Sequence, residues 1–264
     1  MRIPGSTVLI TGATGGIGRT LARAFAAKGA RLLLTGRRAD VLQELAASLG
    51  GTTRTVVADL AVRADVERLA HEAADVDILV ANAALASSGE VLECAPEDVD
   101  RALDVNLRAP IMLARLLAPR MVAAGRGHLV MVGSMSGRTA SPGAALYNAA
   151  KFGLRGFSHG LRQDLRGTGV GVSIVQPGFV RDAGMFADSG ATLPAGVRTV
   201  SPRQVALATL RAVEQDRGEV NIAPLELRLG GAIGGLFPGL AAAVQRRVGG
   251  DTVRQLAEAR RGKR

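Results

Sequence analysis

Thr7-Val8-Leu9-Ile10-Thr11-Gly12-Ala13-Thr14-Gly15-Gly16-Ile17-Gly18 is an apolar, β-branched run that passes into a glycine-rich turn and then into a helical stretch. Gly12 permits a tight turn, Gly16 lets a backbone approach a pyrophosphate, and Gly18 lets the following helix pack close to the strand. The first N–H groups of that helix carry partial positive charge and suit phosphate oxygens. A glycine turn alone often binds nothing. This one stands between the first strand and the first helix, where nucleotide binding needs it. Gly12, Thr14, Gly16, Ile17 and Gly18 are therefore candidate cofactor contacts.

Outward from this loop, apolar runs alternate with longer amphipathic stretches. Strands are expected at Thr7–Thr11, Arg31–Thr35, Thr53–Ala58, Ile78–Ala81, His128–Val132, Val170–Gln176 and Glu219–Ile222. Helices are expected at Gly16–Lys28, Asp40–Leu49, Ala64–Ala74, Asp98–Ala124, Ala144–Arg166 and Pro202–Glu214. Near-continuous apolar strands such as Leu129-Val130-Met131-Val132 are those covered on both faces. Strict alternation implies a parallel sheet with right-handed crossovers, an α/β doubly wound (Rossmann) fold. The expected organisation is one domain over residues 1–224 and a C-terminal extension over 225–264. Two stretches break the rhythm: the polar segment Phe179–Ser201 and the uncharged, glycine-interrupted run Leu229–Val244. The second is too short and too rich in glycine for a membrane span. Its ranked roles are cover for the site mouth, packing against another subunit, and contact with a membrane.

Composition narrows the classes further. The chain has 264 residues, 47% hydrophobic but only 3% aromatic, with no Trp and a single Tyr, Tyr147. Cys94 is the only cysteine, so an internal disulfide and a cysteine-based metal site are excluded. His71, His128 and His159 show no ligand spacing, and no metal is expected. The N-terminus runs straight into a strand without an apolar signal region, which leads to the expectation of a cytoplasmic protein. The formal charge is +10, and half of it lies after Leu225. No basic stripe interleaved with aromatics accompanies it, so nucleic acid is not an expected partner. Weak contact of the tail with a membrane surface stays open.

The second strand ends in Leu34-Thr35-Gly36-Arg37-Arg38. An Asp or Glu there would hold a ribose diol and repel a 2′-phosphate; two guanidinium groups suit the phosphate. NADP(H) is therefore preferred over NAD(H), with Arg37 and Arg38 as contacts. Asp59, with Leu60, closes the third strand where it can hydrogen-bond the adenine edge, and Asn82, with Ala83, closes the fourth where it can satisfy backbone groups beside the cofactor; the alternative for either side chain is a turn cap.

Tyr147 and Lys151 are spaced i, i+4 in a helical stretch, so they share one face. A neighbouring ammonium stabilises a phenolate and is expected to lower a pKa normally near 10 toward the range useful for acid–base catalysis. Ser134 ends the fifth strand, where its hydroxyl can donate to a carbonyl oxygen on which charge builds. Asn106 lies inside the expected long helix, and one reading is that it holds a water linking Lys151 to solvent.

The set of Thr11 to Gly18, Asp59, Asn82, Asn106, Ser134, Tyr147-x-x-x-Lys151 and Pro177-Gly178 resembles the short-chain dehydrogenase/reductase family in its compact single-domain branch. The resemblance spans about Gly5 to Ala223. It implies a catalytic tetrad of Asn106, Ser134, Tyr147 and Lys151, with Tyr147 as proton donor or acceptor and Lys151 also holding the nicotinamide ribose. Pro177 and Gly178 would line the nicotinamide pocket, with Val180 near the carboxamide. It further implies a homodimer or homotetramer and a small alcohol or carbonyl substrate. Met185, Phe186, Leu193, Leu229 and Phe237 suggest that this substrate is apolar. Two positions depart from the family pattern: Ala84 replaces a glycine, and Asp182 stands near the place of a carboxamide-binding Thr. The rival expectation is a nucleotide sensor that keeps the fold without turnover.

Overall fold

Thr7–Thr11 forms β1, a strand whose five residues are all buried, as a run covered on both faces requires. The computed structural model describes residues 1–87, 89–189 and 198–237, with Gly239 and Ala243 as isolated positions beyond them. Around β1 lie β2 (Arg31–Gly36), β3 (Thr53–Val57), β4 (Ile78–Ala81), β5 (Gly127–Val132), β6 (Val170–Pro177) and β7 (Glu219–Ile222). They make one sheet in the order β3-β2-β1-β4-β5-β6-β7. All neighbours are parallel, with Val8 opposite Leu32 on one side and Ile78 on the other. The seven strands fall where the apolar runs place them, within a residue or so at the ends.

Helices cover both faces. α1 (Gly16–Ala27), α2 (Ala39–Leu49) and α8 (Pro202–Glu214) bury Leu21, Phe25, Leu42, Leu45, Val205 and Leu210 against one face. α3 (Arg63–Glu72), α5 (Ala109–Ala123) and α6 (Ala145–Asp164) bury Val66, Leu69, Leu113, Leu117 and Leu154 against the other. Growth of the sheet reverses between β1 and β4. In an open parallel sheet this opens a crevice at the carboxyl edge.

The single helix expected over Asp98–Ala124 is three pieces: α4 (Pro96–Leu103), a π-turn over Asp104–Arg108, and α5. The cause is local and tertiary. Pro110, in the first turn of α5, has no N–H to give to the Asn106 carbonyl four residues back. The Asn106 amide meanwhile ties itself to Leu85, accepting from its N–H at 2.7 Å and donating to its carbonyl at 3.0 Å. A widened turn at such a place commonly marks a functional site.

Phe179–Ser201 is not structureless. Val180 bridges Val200, and α7 (Met185–Ser189) follows; Leu193 and the rest of 190–197 lie outside the described residues. The glycine-interrupted run begins as a helix, α9 (Leu225–Leu236), with most of its remainder outside the described residues. Among the described residues no helix is long and apolar enough to cross a membrane.

Leu129, at the middle of β5, is fully buried in the core beneath α5 and α6. Leu129→Ala should lower the unfolding free energy by about 2–5 kcal/mol through lost transfer energy and a residual cavity. Urea unfolding should show a lower midpoint at unchanged slope. A loss below about 1 kcal/mol would mean the sheet centre is not close-packed.

Candidate active site

The crevice between β1 and β4 is held by a small polar clasp. The Thr11 hydroxyl accepts from the N–H groups of Asn82 and Ala83, both at 3.0 Å. The Asn82 side-chain amide donates to the carbonyls of Thr11 at 3.0 Å and Gly12 at 3.3 Å. These bonds satisfy strand ends that have parted and fix the glycine loop to the end of β4. Gly12 has φ +65°, and a Cβ there would stand 2.8 Å from Ala83 Cα. Gly18 is equally constrained, since its Cβ would meet the Gly12 carbonyl at 2.2 Å. The first turn of α1 carries no acidic residue, so its N-terminal N–H groups remain suited to an anion. The space beside Gly16, read from sequence as room for pyrophosphate, is shared with Ala183, whose Cβ lies 2.4 Å from where a Gly16 Cβ would be.

A cavity of about 260 Å3 runs from this loop along the carboxyl edge. Gly12, Thr14, Ile17, Arg37, Asp59 and Ala83 are among its lining residues, as are Gly16, Gly18, Arg38, Leu60 and Asn82. Arg37 and Arg38 are both exposed at its rim. Arg38 donates to the Thr14 carbonyl at 3.2 Å, as Arg19 does at 3.3 Å, so it also braces the loop. Asp59 accepts from the Ala61 N–H at 3.0 Å and pairs with Arg101 at 2.9 Å. Burial works to raise its pKa. The Ala61 N–H, the Arg101 guanidinium and the charge of Arg37 outweigh burial and hold the carboxyl below its usual value.

The second group sits at the ends of β5 and α6. Ser134 follows β5 and its hydroxyl accepts from the Ser136 N–H at 3.1 Å, starting a short 3-10 turn over Met135–Gly137. Tyr147 and Lys151 lie one turn apart on α6, and the Lys151 ammonium is 5.5 Å from the Tyr147 ring centroid. Lys151 is 2% exposed and donates to the Val132 carbonyl at 3.0 Å. Gly137 allows this closeness, because a Cβ there would stand 2.6 Å from the Lys151 carbonyl.

The sequence led to the expectation of a phenol pKa lowered by the ammonium. The structure differs. Burial pushes Tyr147 up to about 12, against a lowering hydrogen bond from Ser134. Burial also pushes Lys151 down to about 8. The ammonium is directed at Val132 and lies over the ring face, so desolvation outweighs it at the phenol oxygen. Asn106 is buried in the π-turn. Its side-chain amide is engaged at both ends by Leu85.

Around the nicotinamide end expected from sequence, Pro177 closes β6 and the Gly178 N–H donates to the Ile222 carbonyl at 2.9 Å. Val180 is buried in the core, and its backbone bridges Val200. The Asp182 side chain is 72% exposed, has φ +65°, and lies 3.4 Å from Arg181. It turns to solvent and does not replace the missing Thr. Arg101, missed in the sequence, lines the cavity; no spacing or motif singles it out. A larger cavity, about 1060 Å3, opens at the opposite edge beside Met1, Arg126, Arg162 and Asp216. Its Arg126 and Arg162 are held by Asp77 and Asp216, and it is remote from Tyr147. The smaller cavity holds the glycine loop at the carboxyl edge, the edge where β5 leads into Ser134; Ser134, Tyr147 and Lys151 are not among its lining residues. Among the described residues no cluster of His, Cys, Asp or Glu could hold a metal ion.

Comparison with known proteins matches residues 6–193 to the short chain dehydrogenase family model. Ketoacyl reductase HetN of Nostoc sp. is 32% identical over 227 residues, 83% of this chain and 78% of that protein. NADP-dependent 3-hydroxy acid dehydrogenase YdfG of Salmonella typhi is 39% identical over 178 residues, 66% of this chain and 72% of that protein. Among solved structures, a short-chain dehydrogenase from Sphingobium yanoikuyae in complex with NADPH superposes with a TM-score of 0.79 at 30% identity. That match covers 89% of this chain and 94% of the other.

The buried Lys151 makes a testable contribution to stability. Its folded pKa of about 8 lies below the 10.5 of an ordinary lysine, so between these pH values the unfolded chain binds more protons. Stability from this group therefore rises with pH through that window. Relative to Lys151→Met, the wild type should gain about 3 kcal/mol between pH 7 and pH 11 in urea unfolding. Parallel profiles would mean that the ammonium is solvated in the folded protein.

Proposed function

Because the chain belongs to the short-chain dehydrogenase family, we propose that it is an NADP(H)-dependent oxidoreductase interconverting an alcohol and an apolar ketone or aldehyde. The observation that carries this reading is the placement of Ser134, Tyr147 and Lys151 at the same sheet edge as the glycine loop and the Arg37-lined cavity. The residues fit the cofactor on chemical grounds. A helix N-terminus free of acid suits the pyrophosphate, Gly12 and Gly18 permit close approach, and Arg37 suits a 2′-phosphate. Asp59 and Leu60 would border the adenine, with Asn82 and Ala83 beside the ribose and Pro177, Gly178 and the Val180 backbone beside the nicotinamide. YdfG is named as NADP-dependent, and the Sphingobium yanoikuyae enzyme holds NADPH.

Bound NADPH supplies the hydride. The Ser134 hydroxyl orients the substrate carbonyl, and the Tyr147 phenol gives its proton to the developing alkoxide. Lys151 would hold the ribose hydroxyls of the bound cofactor and return a proton to Tyr147. Asn106 serves the relay through its main-chain carbonyl, which Pro110 deprives of its α-helical donor, since its side chain is committed to Leu85. Met185 and Phe186 favour an apolar substrate; Leu229 and Phe237, expected to share this role, are instead exposed. Phe179 and Phe186 meet in a tilted ring contact with centroids 5.2 Å apart, which adds apolar surface to the segment carrying Met185. The same reading includes a homodimer or homotetramer through α5 and α6, on which Val122 and Phe152 stand exposed.

Fluorescence titration should give tighter binding of NADPH than of NADH. Arg37→Ala should weaken NADPH binding about ten- to a hundredfold and leave NADH nearly unchanged, as for loss of a charge-assisted bond. Equal binding of both cofactors by the wild type would overturn the NADP(H) assignment. Tyr147→Phe should reduce the turnover of an apolar ketone by about 100- to 10,000-fold with NADPH affinity retained. Unchanged turnover would remove Tyr147 from the proton transfer.

A further inference from the structure

α9 has two unlike faces. The inner one is small and close-packed: Gly231 lies against Met135, with the Met135 Cε 2.8 Å from where a Cβ would be. The Gly231 carbonyl also accepts from the Thr139 hydroxyl at 3.3 Å. This fixes the helix on the turn that follows Ser134. The outer face carries Leu225, Leu229 and Ile233, recurring every four residues and 61%, 54% and 49% exposed, and Phe237 follows at the helix end, 60% exposed. That spacing lines them along one side of a helix. Arg228 is exposed at the flank of the stripe. Four large apolar side chains in a row are a surface that wants cover.

The chain itself indicates what covers it. After Phe237 come 27 residues with seven basic groups between Arg246 and Arg264, against Asp251 and Glu258 only. A nucleic acid would match this charge but not the apolar stripe. A second copy would match the stripe but bring a like-charged tail to the same place, at a repulsive cost. An uncharged lipid surface would leave the tail without a counterpart. A surface with anionic headgroups above hydrocarbon satisfies both features at once.

We propose that α9 and the basic tail dock the protein on anionic lipid surfaces, the Leu225–Leu229–Ile233–Phe237 stripe entering the headgroup region and the tail pairing with the anionic headgroups. The inner face of α9 would then hold the mouth beside Ser134 close to the lipid. An apolar substrate could enter from that phase, a consequence that rests on the proposed oxidoreductase activity; the docking itself does not.

The test is co-sedimentation of the full chain with phosphatidylcholine vesicles, with and without phosphatidylglycerol, at low and high salt. Binding should be about tenfold or more tighter with phosphatidylglycerol and should fall with salt. Leu229→Ser with Ile233→Ser, and separately Arg246→Ser with Arg247→Ser, should each weaken it about tenfold while NADPH affinity stays unchanged. No sedimentation, equal sedimentation on phosphatidylcholine alone, or indifference to the stripe substitutions would overturn docking. So would light scattering in which the wild type is a larger assembly that the stripe substitutions dissociate, since a second copy would then be the cover. Vesicle binding by a protein with no affinity for NADPH would leave docking standing and overturn the cofactor assignment.

Discussion

Thr11 and Asn82 face each other at the one place where the sheet stops growing in one direction and starts growing in the other. Parallel strands that part there leave N–H and C=O groups without ladder partners, and such groups are costly when buried. A threonine hydroxyl accepting two N–H groups and an asparagine amide donating to two carbonyls meet that demand with two side chains. The glycine loop hangs from the Thr11 side of this clasp. On the Asn82 side the chain continues to Leu85, which Asn106 grips from the π-turn. Loop and π-turn are thus placed by one arrangement of backbone groups, and at the same edge Lys151 ties α6 to the end of β5 through the Val132 carbonyl.

The strands and most of the helices were legible because burial on both faces leaves a strong apolar signal in Val8 to Ile10 or Leu129 to Val132. The break in Asp98–Ala124 was harder to see, since amphipathic spacing runs through it. Pro110 was the available clue: a residue without an N–H weakens the helix four residues back, at Asn106. What decides the break, the amide of Asn106 on Leu85, is a contact 21 residues apart in sequence and leaves no local trace. Arg101 was invisible for the same reason, because its role depends on α4 lying beside the end of β3. Asp182 shows the converse. Its position near a family contact was readable, while its outward orientation at positive φ was not.

The electrostatics of the Tyr147–Lys151 pair reverse the simplest reading of an i, i+4 spacing. Proximity of an ammonium lowers a phenol pKa only if burial does not charge more for the phenolate than the ammonium returns. In this fold both groups are desolvated, and each is held toward its neutral form. The pair is therefore poised: added positive charge next to the phenol oxygen would have a large effect in so apolar a place. In the proposed reading an oxidised nicotinamide would bring such a charge, and the readiness of the acid–base group would then depend on the cofactor.

That link can be read directly, because Tyr147 is the only tyrosine and the chain has no tryptophan. The ultraviolet difference absorbance of phenolate then reports one residue. At about pH 10, where an ordinary tyrosine is half ionised, the free protein should show little phenolate, and addition of NADP+ should produce it in a saturable manner. Substantial phenolate without the cofactor, or none on saturation with it, would contradict the account.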